Sequence, residues 1–161
     1  MVLAERLRAV LLYDPETGVF TRRINRGKWK AGAQVGWLRP DGYIGIGLDY
    51  HEYLAHRLAW LYVTGEWPID VDHENTCRSD NRWDNLREAS RSQNMRNMKR
   101  TKANTSGYKG VTWHKVAKKW MAQIQSDVGH KYLGLFDDPH KAHQAYAEAA
   151  VRMHGEFART V

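Results

Sequence analysis

Apolar positions recur along the first half of the chain with two different periods, which predict helices and strands. A short N-terminal helix is predicted from four apolar residues at helical spacing: Leu3, Leu7, Val10 and Leu11. The turn "DPETG" leads into a strand-like segment at residues 19–23, and residues 43–48 alternate with a period of two, like one arm of a hairpin. Residues 55–65 are crowded with large apolar side chains and predict a helix that ends at Gly65.

The last third of the chain shows the clearest pattern. Three short strands separated by polar turns are predicted at residues 108–114, 118–127 and 130–137. Asp138 can cap a following helix whose first position is Pro139, a residue with no N–H to leave unpaired. The helix carries one apolar stripe, which ends before Gly155 and consists of Ala142, Ala145, Tyr146, Ala149, Ala150 and Met153. The many alanines of this stripe allow the helix to pack closely on one face of a sheet. The other face of that sheet would then be free.

These elements predict an α+β protein in two modules. Residues 95–106 are basic and polar and have little to bury, so they are interpreted as a linker. The predicted domains are residues 1–98, a basic linker at 99–106, and residues 107–161.

Composition narrows the class of protein. Of the 161 residues, 42% are hydrophobic and 27% charged, as in a globular protein and unlike a disordered one. No run of 18 apolar residues is present, so no membrane span is expected, and the N-terminus lacks the features of a signal peptide. The single cysteine, Cys77, excludes an internal disulfide and favours a reducing, cytoplasmic setting.

Charge is unevenly distributed between the two halves. Residues 1–94 contain 13 basic and 13 acidic side chains, whereas residues 95–161 contain 12 basic and 5 acidic ones. A basic half joined to a neutral half indicates a nucleic-acid-binding module, although a basic domain that is merely solvated has the same composition. A second basic cluster, residues 22–30, lies in the neutral half, with no acid between Val19 and Pro40. It is either a contact to a DNA backbone or an ordinary exposed loop.

The segment "VDHENTCRSDNRWDNLREASRSQN" carries the candidate chemistry. It places Asp72 and His73 together, Asn85 twelve residues after the histidine, and Asn94 nine residues further on. With this spacing, residues 41–97 resemble the HNH nucleases of phages and mobile introns in their His-Asn-Asn variant. Without it, the asparagines would be read as ordinary loop and cap formers.

The resemblance implies a ββα-metal module that hydrolyses phosphodiester bonds. Asp72 and Asn94, the latter on a short helix, would bind Mg²⁺ or Mn²⁺ through hard oxygen ligands. His73 would be the general base that activates water, and Asn85 would brace the loop that positions it. Asp80 and Asp84 are alternative metal ligands whose spacing fits the motif less well. His56 faces either the site or DNA, or is a packed and hydrogen-bonded histidine.

Residues 108–157 resemble the plant ethylene-response-factor type domain, also called AP-two/ERF, through the segments YKGV, KKWMAQI, YLGLFD, AYAEAA and HGEF. The resemblance implies a three-stranded antiparallel sheet in the DNA major groove, backed by a helix. The DNA-binding candidates carried over from it are Lys109, Thr112, His114, Lys119, Gln123, Gln125, His130 and Tyr132. Several of these stand where plant members keep arginine, the residue that most often contacts guanine specifically, so the plant target sequence is not expected here.

The sequence thus predicts a metal-dependent endonuclease that acts on double-stranded DNA, without a small-molecule cofactor. A DNA-binding regulator with a vestigial nuclease module is the alternative, and the complete set of motif residues argues against it. An RNA-binding module is a third, weaker alternative, because no RNA-recognition signature is present.

Overall fold

The computed structural model describes residues 3–90, 93, 104–126, 129–155, 158 and 160. The chain divides into two compact units, Met1–Ser90 and Arg91–Val161. Asn94, the rest of its predicted helix except Gln93, and residues 99–103 of the predicted linker lie outside the described residues.

The first unit begins with helix α1 (Leu3–Val10), which runs directly into strand β1 (Leu11–Asp14). β1, β2 (Val19–Arg22) and β3 (Gln34–Val35) form one antiparallel sheet in that order. The predicted helix is confirmed over residues 3–10, but the assignment of Leu11 to it is wrong. Leu11 instead pairs with Arg22, because the chain turns back at residues 14–18 and brings β2 alongside.

A second sheet of the first unit places a helix next to the candidate site. Strands β4 (Trp37–Leu38), β5 (Ile44–Leu48) and β6 (His51–Leu54) are antiparallel neighbours, and helix α2 (Ala55–Thr64) follows β6 without a loop. The predicted end at Gly65 is confirmed, since this residue adopts a left-handed φ of 82° and its N–H reaches the carbonyl of Leu61.

The hydrophobic core of the first unit joins both sheets to the two helices. Its most deeply buried large side chains are Leu7, Phe20, Ile46 and Leu58. Burying each such side chain stabilises the unit by roughly 1.5–3 kcal/mol. Val71 and Leu86 join the same core from a hairpin, β7 (Val71–His73) and β8 (Leu86–Glu88), which is thereby fixed to the rest of the unit.

The second unit contains a three-stranded antiparallel sheet and a helix that packs on it. The sheet order is β11 (Gly129–Phe136), β10 (Lys119–Ser126), β9 (Val111–His114). Helix α3 (Pro139–His154) begins as predicted, with Asp138 Oδ1 accepting the N–H of His140 at 2.8 Å. The buried residues between helix and sheet are Val111, Ala122, Ile124, Ala142, Tyr146, Ala149 and Ala150.

Among the described residues, no helix is both long and apolar enough to cross a membrane.

Candidate functional site

Asp72 and His73 form the buried end of strand β7. Asp72 is 6% exposed and His73 is 4% exposed, which is unusual for polar side chains and indicates that both have partners. Because successive side chains of a strand point to opposite faces, the two residues have different neighbours. β7 ends at His73, whose carbonyl accepts the N–H of Thr76 in the turn that follows.

Arg87 forms an ion pair with Asp72. It lies opposite Asp72 in the β7–β8 pair, and its Nη2 is 3.0 Å from Asp72 Oδ2. Their side chains are only 14% and 7% exposed, respectively. Removing either partner from a buried ion pair typically costs about 3–5 kcal/mol, so Arg87 fixes the position of the Asp72 carboxylate.

Asn81 orients the imidazole of His73. Its Oδ1 is 3.2 Å from His73 Nε2, and its Nδ2 donates to the carbonyl of Ser79 at 3.3 Å. Since the amide nitrogen is turned to Ser79, the amide oxygen faces His73 and accepts a hydrogen bond from Nε2–H. The basic lone pair of a neutral His73 is then on Nδ1.

Asn81 is itself held by the first sheet of the unit. Its backbone carbonyl accepts the Tyr13 hydroxyl at 2.6 Å, deep in the structure. Gly18 packs directly against its backbone, where an added Cβ would lie 2.4 Å from the Asn81 carbonyl carbon. No role for Asn81 was predicted from sequence, because no spacing signal in the chain links it to His73.

Asn85 closes the loop between β7 and β8. Its Oδ1 accepts the N–H of Asn75 at 3.0 Å, and its Nδ2 donates to the carbonyl of Asp80 at 2.7 Å. Its backbone carbonyl also accepts the N–H of Glu74 at 2.9 Å. These bonds join the two ends of the loop that contains Asn81.

Asp80, one of the alternative metal ligands, is paired with Arg82 and accepts a hydrogen bond from Asn75. The Arg82 guanidinium, which donates to Asp80, and the Asn75 amide hold the pKa of the Asp80 carboxyl well below its usual range. Within the described part of the chain, no group of three or more His, Cys, Asp or Glu side chains could hold a metal ion. The chemistry of the predicted ligands, one carboxylate and one amide oxygen, nevertheless suits a hard divalent cation that keeps several waters.

His56, on helix α2, is the closest aromatic neighbour of His73. The two ring centroids are 4.8 Å apart and the rings meet edge to face, while Tyr43 lies 5.1 Å from His56. His56 is 4% exposed, and its Nδ1 is buried without a hydrogen-bond partner among the described residues. The sequence interpretation of a packed histidine is confirmed, but that of a hydrogen-bonded one is not.

Burial sets the protonation of both histidines. Desolvation, with smaller contributions from the charges of His73 and Arg57, lowers the pKa of His56 to about 3. Desolvation also lowers the pKa of His73, against the opposing effects of the Asn81 hydrogen bond and the Asp72 and Asp80 carboxylates. Both rings are therefore neutral at neutral pH, the form in which His73 can accept a proton.

The predicted DNA-binding residues of the second unit fall mostly on one surface. The strand register alternates buried side chains, which face α3, with exposed ones on the opposite side of the sheet. Seven of the eight candidates share that opposite side, hereafter the free sheet face: Thr112, His114, Lys119, Gln123, Gln125, His130 and Tyr132. Lys109 lies in the loop before β9.

The free sheet face carries few internal bonds among its described side chains. Lys119 forms an exposed ion pair with Asp137 at 3.1 Å, and Gln125 donates to the carbonyl of Ser126. Tyr132 is 59% exposed. Trp113 instead meets Trp120 edge to face at 4.9 Å on the helix side of the register, and Trp120 packs on the core.

Comparison with known proteins matches the central segment of the chain to a protein family. A family model described as HNH endonuclease matches residues 53–96, which include α2, β7, β8 and the loop between them. Protein 3.8 of Escherichia phage T7 is 30% identical over 106 residues, covering 65% of this chain and 87% of that protein. No solved structure matches the chain. This chain therefore belongs to the same family as protein 3.8 of phage T7, and its residues 53–96 constitute an HNH endonuclease domain.

Proposed function

We propose that the protein is a metal-dependent DNA endonuclease that hydrolyses phosphodiester bonds in double-stranded DNA. The observation that carries this proposal is the environment of His73. His73 is buried, and desolvation keeps its imidazole neutral. Its Nε2 is oriented by the side-chain amide of Asn81, whose nitrogen donates to the carbonyl of Ser79. A neutral imidazole held in one tautomer can act as a general base.

The protein's own residues have separate roles in this reaction. His73 Nδ1 accepts the proton of the attacking water, and Asn81 keeps the ring in the tautomer that makes this possible. Asn85 holds the loop that carries Asn81, so its role in catalysis is positional. Arg87 holds Asp72 in place at the end of the hairpin.

Asp72 and Asn94 would hold the metal ion, either Mg²⁺ or Mn²⁺. When bound, such an ion stabilises the charge that develops on the phosphate oxygens and on the leaving oxygen. The place of Asn94 in the ligand set, and with it the ββα-metal arrangement, stays a prediction from sequence.

The free sheet face would deliver the nuclease to DNA. Polar side chains such as Gln123, Gln125 and His130 can hydrogen-bond to base edges, and a sheet fits the width of the major groove. This proposal rests on the shared face and on the resemblance of residues 108–157 to the AP-two/ERF domain.

Supercoiled plasmid DNA tests the proposed activity. Incubation with the full chain and Mg²⁺ or Mn²⁺ is expected to yield nicked or linear product, and a chelator is expected to prevent it. His73→Ala should lower the cleavage rate by about a hundredfold or more, because a general base contributes about 10²–10⁴-fold, while DNA affinity stays close to that of the wild type.

His51→Ala is the matched control, because His51 is an exposed histidine of the same unit. It should cut like the wild type. Cleavage by His73→Ala at the wild-type rate under saturating metal would show that the base is assigned wrongly. DNA binding by the wild type with no cleavage under any metal would favour the regulator with a vestigial nuclease.

A further inference from the structure

The last residue of strand β2 and the start of its connection to β3 form a basic arm, defined here as residues 22–30. It contains five cations in nine residues: Arg22, Arg23, Arg26, Lys28 and Lys30. No acidic residue occurs from Val19 to Pro40, although the first unit as a whole is nearly neutral. Ordinary solvated surfaces mix both signs of charge, so a segment of one sign this dense requires another explanation.

The cations of the basic arm are not used in ion pairs. Within the described ranges, none of the five has a carboxylate oxygen within 4.0 Å, whereas five of the unit's seven other arginines have one, namely those at positions 6, 39, 57, 82 and 87. Arg26 contributes to the lowered pKa of Asp49, but less than Arg6 does. The charges of the arm are therefore available to an external anion.

The arm has a defined backbone conformation. Arg26 and Trp29 exchange two backbone hydrogen bonds of 2.8 and 3.1 Å across a tight tip at Gly27, whose φ is 58°. The Asn25 side chain accepts the N–H of Ala31 at 2.9 Å, and Arg23 donates to the carbonyl of Arg8 at 2.9 Å. An ordered arm loses less conformational entropy on binding than a flexible loop would.

Exposed aromatic rings lie among these cations. Trp29 is 51% exposed and Tyr50 is 98% exposed. Lys28 Nζ lies 5.1 Å from the Trp29 ring centroid, and the Arg26 guanidinium lies 5.9 Å from that of Tyr50. Cations interleaved with planar, solvent-facing rings match the sugar-phosphate backbone of a nucleic acid, which offers both anionic and apolar surface.

We propose that the basic arm is a second DNA-binding element, which contacts the phosphate backbone of duplex DNA from the nuclease unit itself. The choice of duplex DNA rests on the proposed function, since it is the substrate of that reaction. Contacts to phosphates carry no sequence information, so the contribution of the arm is affinity without sequence preference. The nuclease unit then grips DNA locally despite its near-zero net charge.

The test is a salt titration of DNA binding by the full chain in the presence of a chelator, with a duplex of about 30 base pairs. Each phosphate contact contributes about 0.9 to the slope of log K against log salt. Arg26→Gln/Lys28→Gln should therefore reduce the magnitude of the slope by about 1.8. Arg26→Lys/Lys28→Arg, which retains both charges, should restore it.

Lys141→Gln/Arg152→Gln is the matched control. It removes one lysine and one arginine from exposed positions of helix α3, outside both the arm and the free sheet face, and should leave the slope unchanged. Equal slope changes in the two double variants, an unchanged slope in the arm variant, or no duplex binding by the wild type would each overturn the inference. Binding is measured without metal, so these results do not depend on cleavage. Absence of cleavage by the wild type in the plasmid assay would instead refute the proposed function.

Discussion

His73 and His56 show how burial controls the chemistry of single residues in this domain. The two rings are in edge-to-face contact at 4.8 Å, and both are almost inaccessible to water. Two adjacent imidazolium ions in such a place would repel each other and lack solvation, so neutrality of the pair is a condition of the fold. The same neutrality keeps His73 ready to accept a proton.

The pKa of His56 predicts a pH-dependent stability of the first unit. In the unfolded chain this histidine titrates at about 6.5, whereas in the folded unit its pKa is lowered to about 3. Below pH 6.5 the unfolded state therefore binds a proton that the folded state does not, and the free energy of unfolding falls as pH falls. Between pH 8 and pH 5 the His56 contribution to this decrease is about 2 kcal/mol.

His56→Phe should remove this part of the pH dependence, while the exposed His51→Phe should retain it. Hydrogen exchange of peptides from α2 and β7 measures the opening free energy of the first unit alone. If the opening free energies of the wild type and His56→Phe changed with pH in parallel, the predicted titration of His56 would be contradicted.

At the level of the site residues, the sequence predicted positions but few contacts. The spacing of Asp72, His73 and Asn85 gave candidate roles, and the structure adds the contacts that make those roles possible. Asn81 and Arg87 were not predicted, because their partners depend on how the β7–β8 loop closes and on strand register. Neither feature leaves a periodic signal in the sequence.

At the scale of elements, the helices and strands that were predicted are longer and carry clearer local signals than the strands that were missed. Helix α2, helix α3 and the three strands of the second unit are confirmed, because each has several turns or residues of consistent periodicity and recognisable caps. β3 and β4 have only two residues each, too few to show an alternation. β1 was missed because Leu11 continues the helical spacing of α1, and only pairing with β2 makes it a strand.

The contact between the β1–β2 turn and the site loop gives a prediction for these elements. Gly18 has a φ of 73°, and a Cβ there would lie 2.4 and 2.5 Å from the backbone of Asn81 and Arg82. Gly18→Ala must push this loop away and with it the Asn81 amide that orients His73. We expect the plasmid cleavage rate to fall at least tenfold.

Gly32→Ala is the control for Gly18→Ala. Gly32 has a similar φ of 84°, so the two substitutions share a backbone strain of about 1–2 kcal/mol. A Cβ at Gly32 would have no atom of the described residues within 4 Å beyond its own chain neighbours. Gly32→Ala should retain wild-type cleavage once both proteins are shown to be folded by circular dichroism. Equal loss of activity in the two variants would indicate that strain, and not displacement of Asn81, is responsible.

At the scale of the whole molecule, charge and chemistry are divided along the chain. The site lies in a half with balanced charge, whereas the net charge of +7 comes from residues 95–161. Since phosphate contacts provide most non-specific affinity, the second unit is expected to contribute most of the binding free energy, supplemented by the basic arm. Under the proposed function, we expect substitutions to be able to change DNA cleavage and the choice of cleavage site separately.

The free sheet face predicts which substitutions change site selection without changing catalysis. Gln123 lies on the central strand of that face and is far in sequence from the HNH endonuclease domain. Gln123→Ala should alter the map of cleavage positions on a long DNA substrate, because losing a good contact to a base edge relaxes discrimination there by about 1–3 kcal/mol. The cleavage rate at saturating DNA should stay near the wild-type value, since His73 and its partners are untouched.

Gln144→Ala, the same substitution at an exposed position of helix α3, should leave the map unchanged. An identical map for Gln123→Ala and the wild type, at equal occupancy of the DNA, would remove Gln123 from the residues that read sequence. If His130→Ala and Gln125→Ala also left the map unchanged, site selection would have to come from the nuclease unit.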